Sequence, residues 1–464
     1  MKVTLYGAAG DEVTGSAYHL QTAEANVLVD FGMFQGAKMA ESRNRVPAAL
    51  QAKRLNAVLL THAHLDHCGR LPLLASRGFS GPIYATQATA EVADLILRDA
   101  VKIQAFDVQR TNRRRQRAGQ EPVEPLFTAE DVEQIVQQFR AVPYDVPQEV
   151  APGIRARFVE AGHMLGSACI ELTVREGGKQ KAVVFSGDIG QWGAPMLRDP
   201  ARIARADVAF MESTYGDHDH RSLNDTIAEF TELVKATVQN RGKLLVPSFA
   251  VGRTQQLLYH LAVLFRDRVV PRFPVFVDSP MAVKATKIYG AHPELGDEEY
   301  QALRKKRPLR EDLLTVKGVV SAEDSRKLND VRGPCLIMAG AGMCNAGRIL
   351  HHLKYNLWRP ETTVAIVGFQ APGSLGRRLV ERQPYVSIFG ERIAVKAQVR
   401  TLGGFSAHAG QTDLLRWIEP MAKNRVRVFL THGEAKGRKP LARLLRERFG
   451  IKAETPGLDD DVTI

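Results

Sequence analysis

The first half of the chain alternates short apolar runs with polar or glycine-containing turns. Val3–Tyr6, Tyr18–Gln21 and Asn26–Asp30 follow one another closely, a pattern that predicts neighbouring antiparallel strands. Ala57–Leu60 is entirely apolar and stops at a threonine, which indicates a buried strand. Four later runs also predict strands, namely Arg155–Ala161, Ala168–Arg175, Lys181–Ser186 and Val208–Glu212.

The pattern changes after Thr214, where helix-like and strand-like segments alternate. Units of this size predict a parallel sheet with helices on its faces. We therefore expect an α/β protein in which residues 1–214 and 391–464 form two parts of one domain and residues 215–390 form an inserted α/β domain. The alternating segments are Ser222–Asn240, Lys243–Pro247, Thr254–Asp267, Val275–Asp278, Cys335–Ala339 and Thr363–Gly368.

Composition is that of a folded globular chain. Of the 464 residues, 44% are hydrophobic and 25% are charged, which excludes a disordered or fibrous protein. No run of about 18 apolar residues predicts a membrane-spanning helix, and the N-terminus lacks the apolar core of a signal peptide. The four cysteines form no C-x-x-C pair, which favours a reducing compartment, so we expect a cytoplasmic protein without membrane contact. The net charge of +12 suits a polyanionic partner.

The most informative segment is THAHLDHCG, which begins at Thr61. It places His62, His64, Asp66 and His67 directly after an apolar strand, where one turn can direct all four side chains toward a single point. Neutral imidazoles and carboxylates are ligands that zinc prefers. A single ion does not easily use four such close neighbours, so the spacing favours two metals, with the first two histidines on one ion and the Asp–His pair on the other.

Further candidate ligands stand where other apolar strands end. They are Asp30, His163, Asp188 and His432. Each alone is most simply explained as a hydrogen-bonded strand-end residue. Four of them in one chain with an H-x-H-x-D-H turn indicate a metal centre.

These segments resemble the successive motifs of the metallo-β-lactamase-fold hydrolases. Four later motifs, MEST, SFAVGRTQQLL, FSAH and THGE, resemble those of the β-CASP branch of that superfamily. That branch contains RNA-processing nucleases, among them the cleavage and polyadenylation endonuclease and ribonuclease J. The resemblance covers nearly the whole chain. It implies an α/β protein built as a metallo-β-lactamase αββα sandwich with an inserted Rossmann-like parallel β-CASP domain.

The resemblance also implies a role for each candidate residue. Asp188 would bridge two metals, and Asp30 would orient a ligating histidine, as carboxylates often do in metal sites. One departure is Gly410, which stands where the family often has an acidic residue and leaves the implied metal site intact. The implied ligands are His62, His64 and His163 for the first metal and Asp66, His67 and His432 for the second.

The implied reaction is hydrolysis of RNA phosphodiester bonds, with 5′-phosphate and 3′-hydroxyl products. Two metals would activate the attacking hydroxide. His408, in FSAH, is the candidate general acid, because imidazole titrates near neutral pH. Glu212, in MEST, would hold His408 in the right tautomer and keep it protonated. Asp66 is grouped with these two as a catalytic residue.

Contacts to RNA are expected from glycine-rich turns and polar side chains of the inserted domain, because backbone N–H groups in such turns bind phosphate. Two basic runs, Arg110–Arg117 and Arg304–Arg310, fit either an RNA backbone or a solvated surface. The substrate-binding candidates are Ser248, Arg253, Ser279, Gly340, Gly342, Ser374 and Arg377.

The leading hypothesis is a zinc-dependent ribonuclease that acts on single-stranded RNA in processing or decay. It would hold two Zn²⁺ ions, with Mn²⁺ as the alternative for N/O ligands, and a homodimer fits this hypothesis. Endonuclease and 5′-exonuclease action both stay open, since both use one metal site. A thioester or lactone hydrolase would need neither the large insertion nor FSAH. An inactive RNA-binding subunit would have lost metal ligands, and all the expected ones are present.

Overall fold

The N-terminal strands pair as neighbours in the computed structural model, which describes residues 1–10, 12–36, 40–371 and 373–464. Strand β1 (Lys2–Gly7) pairs antiparallel with β2 (Ala17–Gln21), which pairs antiparallel with β3 (Asn26–Val29). The apolar run that follows becomes β4 (Ala57–Leu59), which is buried throughout and parallel to β3. The predicted antiparallel start of the chain is confirmed.

The other elements follow along the chain. The further strands are β5 (Ile83–Ala85), β6 (Phe139–Ala141), β7 (Gln148–Ala151), β8 (Ile154–Glu160), β9 (Ala168–Glu176), β10 (Lys179–Phe185), β11 (Val208–Glu212), β12 (Lys243–Pro247), β13 (Val275–Asp278), β14 (Val316–Gly318), β15 (Cys335–Ala339), β16 (Thr362–Ile366), β17 (Tyr385–Ile388), β18 (Glu391–Ala394), β19 (Gln398–Thr401), β20 (Arg427–Thr431) and β21 (Asp461–Thr463). The α-helices are α1 (Ala40–Arg43), α2 (Leu65–Cys68), α3 (Leu71–Ser76), α4 (Gln87–Arg117), α5 (Ala129–Gln137), α6 (Leu223–Gln239), α7 (Arg253–Arg266), α8 (Pro280–Ala291), α9 (Glu298–Lys306), α10 (Leu309–Asp312), α11 (Ala322–Lys327), α12 (Arg348–Asn356), α13 (Leu375–Val380), α14 (Gln411–Ala422) and α15 (Ala435–Phe449).

Two compact units make up the chain. The first unit comprises Met1–Gly193, Asp199–Asp219 and His408–Ile464, and the second comprises Ala194–Arg198 and His220–Ala407. The domain limits expected from the sequence, at residues 214 and 390, stay a prediction.

The first unit contains two sheets that share a buried core. One sheet has the order β21-β1-β2-β3-β4-β5-β6 and the other the order β20-β11-β10-β9-β8-β7. Their facing side chains interdigitate, since the ring centroid of Tyr18 in the first sheet lies 5.3 Å from that of Phe185 and 5.6 Å from that of Phe210 in the second. The second sheet buries its other face against α14 and α15, with Trp417 fully buried in that layer. This arrangement is the metallo-β-lactamase sandwich that the resemblance implied for the domain that carries the insertion.

The second unit is built on one parallel sheet of order β14-β13-β15-β12-β16-β19. Apolar clusters cover both faces, one around Phe230 and the other around Ile337. Burial on both faces explains why these strands are continuous apolar runs rather than alternating ones. The parallel α/β sheet predicted for the region after Thr214 is confirmed.

Helix α4 is longer than its apolar periodicity predicted. The spacing indicated a helix over Ala88–Gln104, and the structure continues it to Arg117. The extension is rich in arginine and glutamine, which favour helix without burial. Among the described residues, no helix combines the length and apolarity needed to cross a bilayer.

Candidate metal centre

The turn after β4 carries four of the predicted ligands. His64 caps the short helix α2, and the chain after β3 runs against this turn through hydrogen bonds from Phe31 N to His67 O and from Met33 N to Leu65 O, both 2.8 Å. This close approach requires glycine at position 32, where a Cβ would lie 1.5 Å from the carbonyl oxygen of Asp66. These two hydrogen bonds and the close approach of Gly32 therefore fix the conformation of the turn.

Three histidines and an aspartate form a first cluster. His64 Nδ1 lies 3.1 Å from His62 Nε2 and 3.0 Å from His163 Nε2. The Oδ2 atom of Asp188 lies 3.4 Å from His62 Nε2. One possible ligand atom from each of the four lies within 4.8 Å of the others. These atoms come from three separate segments of the chain.

A second cluster combines Asp66, His67 and His432. The two Nε2 atoms of the histidines lie 3.2 Å apart, and His432 Nε2 lies 3.5 Å from Asp66 Oδ2. His432 has a left-handed backbone, with φ of 49°, and its N–H donates to Ala8 O over 2.8 Å. A non-glycine residue held in this conformation is strained, and such strain is common at functional sites.

Asp188 is shared by the two clusters. Its Oδ2 atom faces the first, 3.4 Å from His62 Nε2 and 3.5 Å from His163 Nε2. Its Oδ1 atom faces the second, 3.3 Å from His67 Nε2 and 3.6 Å from His432 Nε2. Within the described part of the chain this buried Oδ1 accepts no hydrogen bond. One carboxylate therefore directs one oxygen at each cluster.

The electrostatics of the first cluster favour metal ligation. Burial lowers the pKa of His62 to about 3 and also lowers the pKa of His64 and of His163. A neutral imidazole keeps the lone pair that a metal ligand needs. Facing ring nitrogens 3.0 and 3.1 Å apart cannot all carry hydrogens. An N/O donor set that suits zinc therefore fits here.

Asp30 lies behind the second cluster and is completely buried. Its Oδ2 accepts from His67 Nδ1 over 2.7 Å, which leaves the Nε2 atom of that ring directed into the cluster. Thr61 N and Thr61 Oγ1 each donate to the same carboxylate over 2.8 Å. This carboxylate–histidine pair fixes the ring orientation, as in many metal sites.

His408 and Glu212 form a third group beside Asp188. The Nδ1 atom of His408 lies 3.2 Å from Glu212 Oε2, and Ile189 N donates to Glu212 Oε1 over 2.6 Å. Burial disfavours the imidazolium, but the carboxylates of Glu212 and Asp188 outweigh it and raise the pKa of His408 to about 9. These two carboxylates therefore favour the protonated form of His408.

Sequence reasoning missed three hydroxyl residues that touch these rings. Thr61 Oγ1 lies 3.1 Å from His62 Nδ1, Ser16 Oγ lies 3.4 Å from His67 Nε2, and Thr214 Oγ1 lies 3.2 Å from His432 Nδ1. Two of them stand next to recognised motif residues, in THAHLDH and MEST. Ser16 carried no local signal, because only the packing of β2 brings it to the histidine.

The predicted substrate-binding residues all lie in the second unit. Ser248, Ser279 and Gly340 directly follow β12, β13 and β15, so the parallel sheet places them at one edge, where ligands bind in such sheets. The hydroxyls of Ser279 and Ser374 cap α8 and α13, each accepting a backbone N–H over 3.1 Å. The guanidinium of Arg377 pairs with the carboxylate of Glu381, and that of Arg253 donates to the side chain of Gln256. Gly342 lies beside the ring of Phe249, from which a Cβ at this position would be 3.0 Å away.

Comparison with protein families matches three successive regions of the chain. Residues 25–248 match the Beta-lactamase superfamily domain, residues 254–379 match the Beta-Casp domain, and residues 392–456 match the Zn-dependent metallo-hydrolase RNA specificity domain. The three follow one another in the order that the motifs indicated.

Individual proteins are also similar to this chain. A ribonuclease of Thermus thermophilus is 40% identical, over 97% of this chain and 96% of its own length. The transcription termination factor FttA of Methanosarcina mazei is 30% identical, over all of this chain and 71% of its own length. A crystal structure of a protein of unknown function from Enterococcus faecalis is 14% identical and covers both chains completely with a TM-score of 0.56, which shows a shared fold. The chain belongs to the β-CASP family of metal-dependent ribonucleases within the metallo-β-lactamase superfamily.

Proposed function

We propose that this chain hydrolyses phosphodiester bonds of single-stranded RNA at a two-metal centre, with 5′-phosphate and 3′-hydroxyl products. The observation that carries the proposal is the position of Asp188, whose two oxygens face two separate histidine clusters. A carboxylate shared in this way is suited to bridge two cations. Asp188 and the six side chains around it supply only nitrogen and oxygen donors, which favour zinc, with manganese as the alternative.

Each cluster would hold one ion. His62, His64 and His163 would bind the first, and Asp66, His67 and His432 would bind the second, with Asp188 common to both. Metal ions in such a pair activate water and neutralise charge on a scissile phosphate. Asp30 would keep His67 in its ligating orientation through the 2.7 Å hydrogen bond to Nδ1.

His408 would protonate the departing 3′ oxygen. Nδ1 of this ring faces Glu212, and the Nε2–H would donate to the leaving oxygen. The Glu212 carboxylate raises the pKa of this ring and so favours the protonated form that a general acid requires. Glu212 is a positioning residue, held in turn by the N–H of Ile189. Asp66, whose carboxylate is partly exposed, is the third residue proposed as catalytic, beside His408 and Glu212.

RNA is the proposed substrate for two reasons. The Thermus thermophilus relative is named a ribonuclease, and residues 392–456 match a family described by its RNA specificity. The glycine turns and polar side chains at the sheet edge of the second unit would contact phosphates, with Ser248, Arg253, Ser279, Gly340, Gly342, Ser374 and Arg377 as the candidates. The four buried free thiols suit a reducing cytoplasm, and a homodimer is the proposed oligomer.

A time course on 5′-labelled single-stranded RNA tests the proposal. We expect products with 3′-hydroxyl ends, and we expect Asp188→Asn to abolish cleavage. His351→Ala is the control, because this exposed histidine lies outside all three groups. Early mononucleotide would identify a 5′-exonuclease and early internal fragments an endonuclease. Cleavage of a thioester panel without cleavage of RNA would overturn the proposal.

A further inference from the structure

The second half of α4 lies outside the core of the first unit. All of the helix residues that are buried lie between Ala88 and Leu97, whereas the helix continues to Arg117. The segment Lys102–Arg117 is about 24 Å long at the usual helical rise. The helix is closed just after this segment by Gly119, whose φ of 64° allows the hydrogen bond from Gln120 N to Arg115 O. We call Lys102–Arg117 the arm.

One face of the arm is tied to the chain that returns beside it. Asn112 and Val123 exchange two hydrogen bonds, of 2.9 Å from Asn112 Nδ2 to Val123 O and 2.8 Å from Val123 N to Asn112 Oδ1. The Nε atom of Arg115 donates to Glu121 O, and Phe127 N donates to Gln104 Oε1 over 3.3 Å. This inner face is therefore structural, and Arg115 belongs to it.

The opposite face is exposed and combines an apolar end with a basic end. Phe106 is 65% exposed and Ile103 is 57% exposed, although both side chains are large and apolar. Positions three, four or seven residues apart share one face of a helix. The outer face consists of Ile103, Phe106, Asp107, Arg110, Arg113, Arg114 and Arg117.

The charge on this face is largely uncompensated. Arg110 pairs with Asp107 at 3.3 Å, and both side chains are more than half exposed. Across the described residues, Arg113, Arg114 and Arg117 make no ion pair with a carboxylate, and the Nε atom of Arg117 donates to the Arg113 carbonyl. Guanidinium groups next to an exposed aromatic ring are the combination that binds phosphates and stacks bases of a single strand.

We propose that the outer face of the arm is an accessory binding surface for single-stranded RNA. The arginines would contact the sugar–phosphate backbone, and an unpaired base would stack on the ring of Phe106. This inference rests on the proposed function, since the same RNA would be the substrate, and it adds a contact that lengthens the bound strand. The positive charge of the arginines favours a polyanion. The exposed ring of Phe106 favours a polyanion whose bases are unpaired and can stack on it.

Two neighbouring arginines provide a charge-matched test. Arg114→Gln and Arg115→Gln each remove one positive charge, but only the former lies on the outer face. The probe is a fluorescent oligouridylate of about 40 nucleotides with phosphorothioate linkages that resist cleavage, titrated by anisotropy over a range of salt concentrations. We expect Arg114→Gln to flatten the slope of log affinity against log salt by about 0.7, the value for one lost contact to a single strand. Arg115→Gln should leave the slope unchanged.

Phe106 separates base stacking from electrostatic attraction. Phe106→Leu keeps an apolar side chain without a ring, and Phe106→Tyr keeps the ring. We expect the leucine variant to bind the probe about 5- to 140-fold more weakly, the range for one stacked base, with an unchanged salt slope. The tyrosine variant should bind as the wild-type protein does. Neither change should alter binding of duplex RNA, whose bases are already stacked.

Contrary results are equally clear. Equal slopes for Arg114→Gln, Arg115→Gln and wild type, or full binding by Phe106→Leu, would overturn the arm as an RNA surface. A wild-type protein that sediments as a dimer, and that Phe106→Leu converts to a monomer, would also overturn the proposal, since the face would then bind a second copy of the chain. Cleavage at saturating RNA tests the proposed function separately, because the arm residues lie outside the three clusters and the variants should keep the wild-type kcat.

Discussion

The Nδ1 atom of His408 lies 3.2 Å from the Oε2 atom of Glu212, although 196 residues separate the two in the chain. Glu212 is completely buried, its backbone N–H donates to Ser186 Oγ over 2.9 Å, and its Oε1 accepts from the N–H of Ile189 over 2.6 Å. Glu212 is thus fixed before substrate arrives, and it fixes the histidine ring in turn. This relationship leads to the first two predictions.

Replacing His408 by alanine should slow RNA cleavage by about 10²- to 10⁴-fold, the usual contribution of a general acid. Metal content and RNA affinity should not change, because the imidazole is not among the proposed ligands. Rates are compared on ordinary RNA and on RNA with a 3′-phosphorothiolate linkage, whose leaving group needs no proton. Equal losses on both substrates would contradict proton donation by His408.

Glu212→Gln should move the alkaline limb of the pH–rate profile to lower pH. The Glu212 carboxylate is the largest contribution that opposes burial and raises the pKa of His408. Without that charge the ring loses its proton at lower pH, and the acid is lost as the pH rises. The profile of kcat is measured from pH 5 to pH 10 for both proteins, and an unshifted limb would show that another group is the acid.

Purified protein should carry close to two metal ions per chain. The double variant Asp66→Asn, His67→Ala should lose about one of them together with RNA cleavage, because it disrupts only the second cluster. Elemental analysis after dialysis measures the stoichiometry, and His351→Ala should keep the wild-type content. Full activity in the double variant would refute the assignment of the THAHLDH turn.

Gly32→Ala should damage the metal centre without touching a ligand. A Cβ at this position would lie 1.5 Å from Asp66 O and 2.5 Å from His67 N, so the turn must shift. We expect reduced metal content and a thermal midpoint lowered by several degrees, since forced backbone shifts typically cost about 1–3 kcal/mol. Gly290→Ala is the control, because a Cβ there meets nothing within 4 Å. Equal behaviour of the two variants would contradict this account.

RNA should be preferred over DNA of the same sequence. His432 lies within residues 392–456, which match the Zn-dependent metallo-hydrolase RNA specificity domain, and its Nε2 closes the second cluster 3.2 Å from His67 Nε2. The 2′-hydroxyl also provides a group by which a protein distinguishes the two nucleic acids. The measurement is kcat/KM for equal single strands of each kind, and equal values would leave His432 without a role in substrate choice.

The sequence by itself was sufficient for the fold class and for the family. Apolar runs such as Ala57–Leu60 and the β/α alternation after Thr214 are local patterns, and strand or helix formation depends mainly on such local periodicity. Four members of the candidate site also lie within six positions, so one turn brings them together whatever the rest of the chain does. Motif order then identified the two-domain architecture.

Tertiary structure decided the contacts that no local pattern encodes. His67 and His432 approach to 3.2 Å across 365 residues, and Ser16 reaches the same ring only because β2 packs beside β3. In the arm, Arg114 and Arg115 are neighbours of one residue type, yet one faces solvent while the other donates to Glu121 O. Residue types and their spacing are properties of the sequence. Which atoms meet depends on how distant segments pack, and packing is cooperative over the whole core.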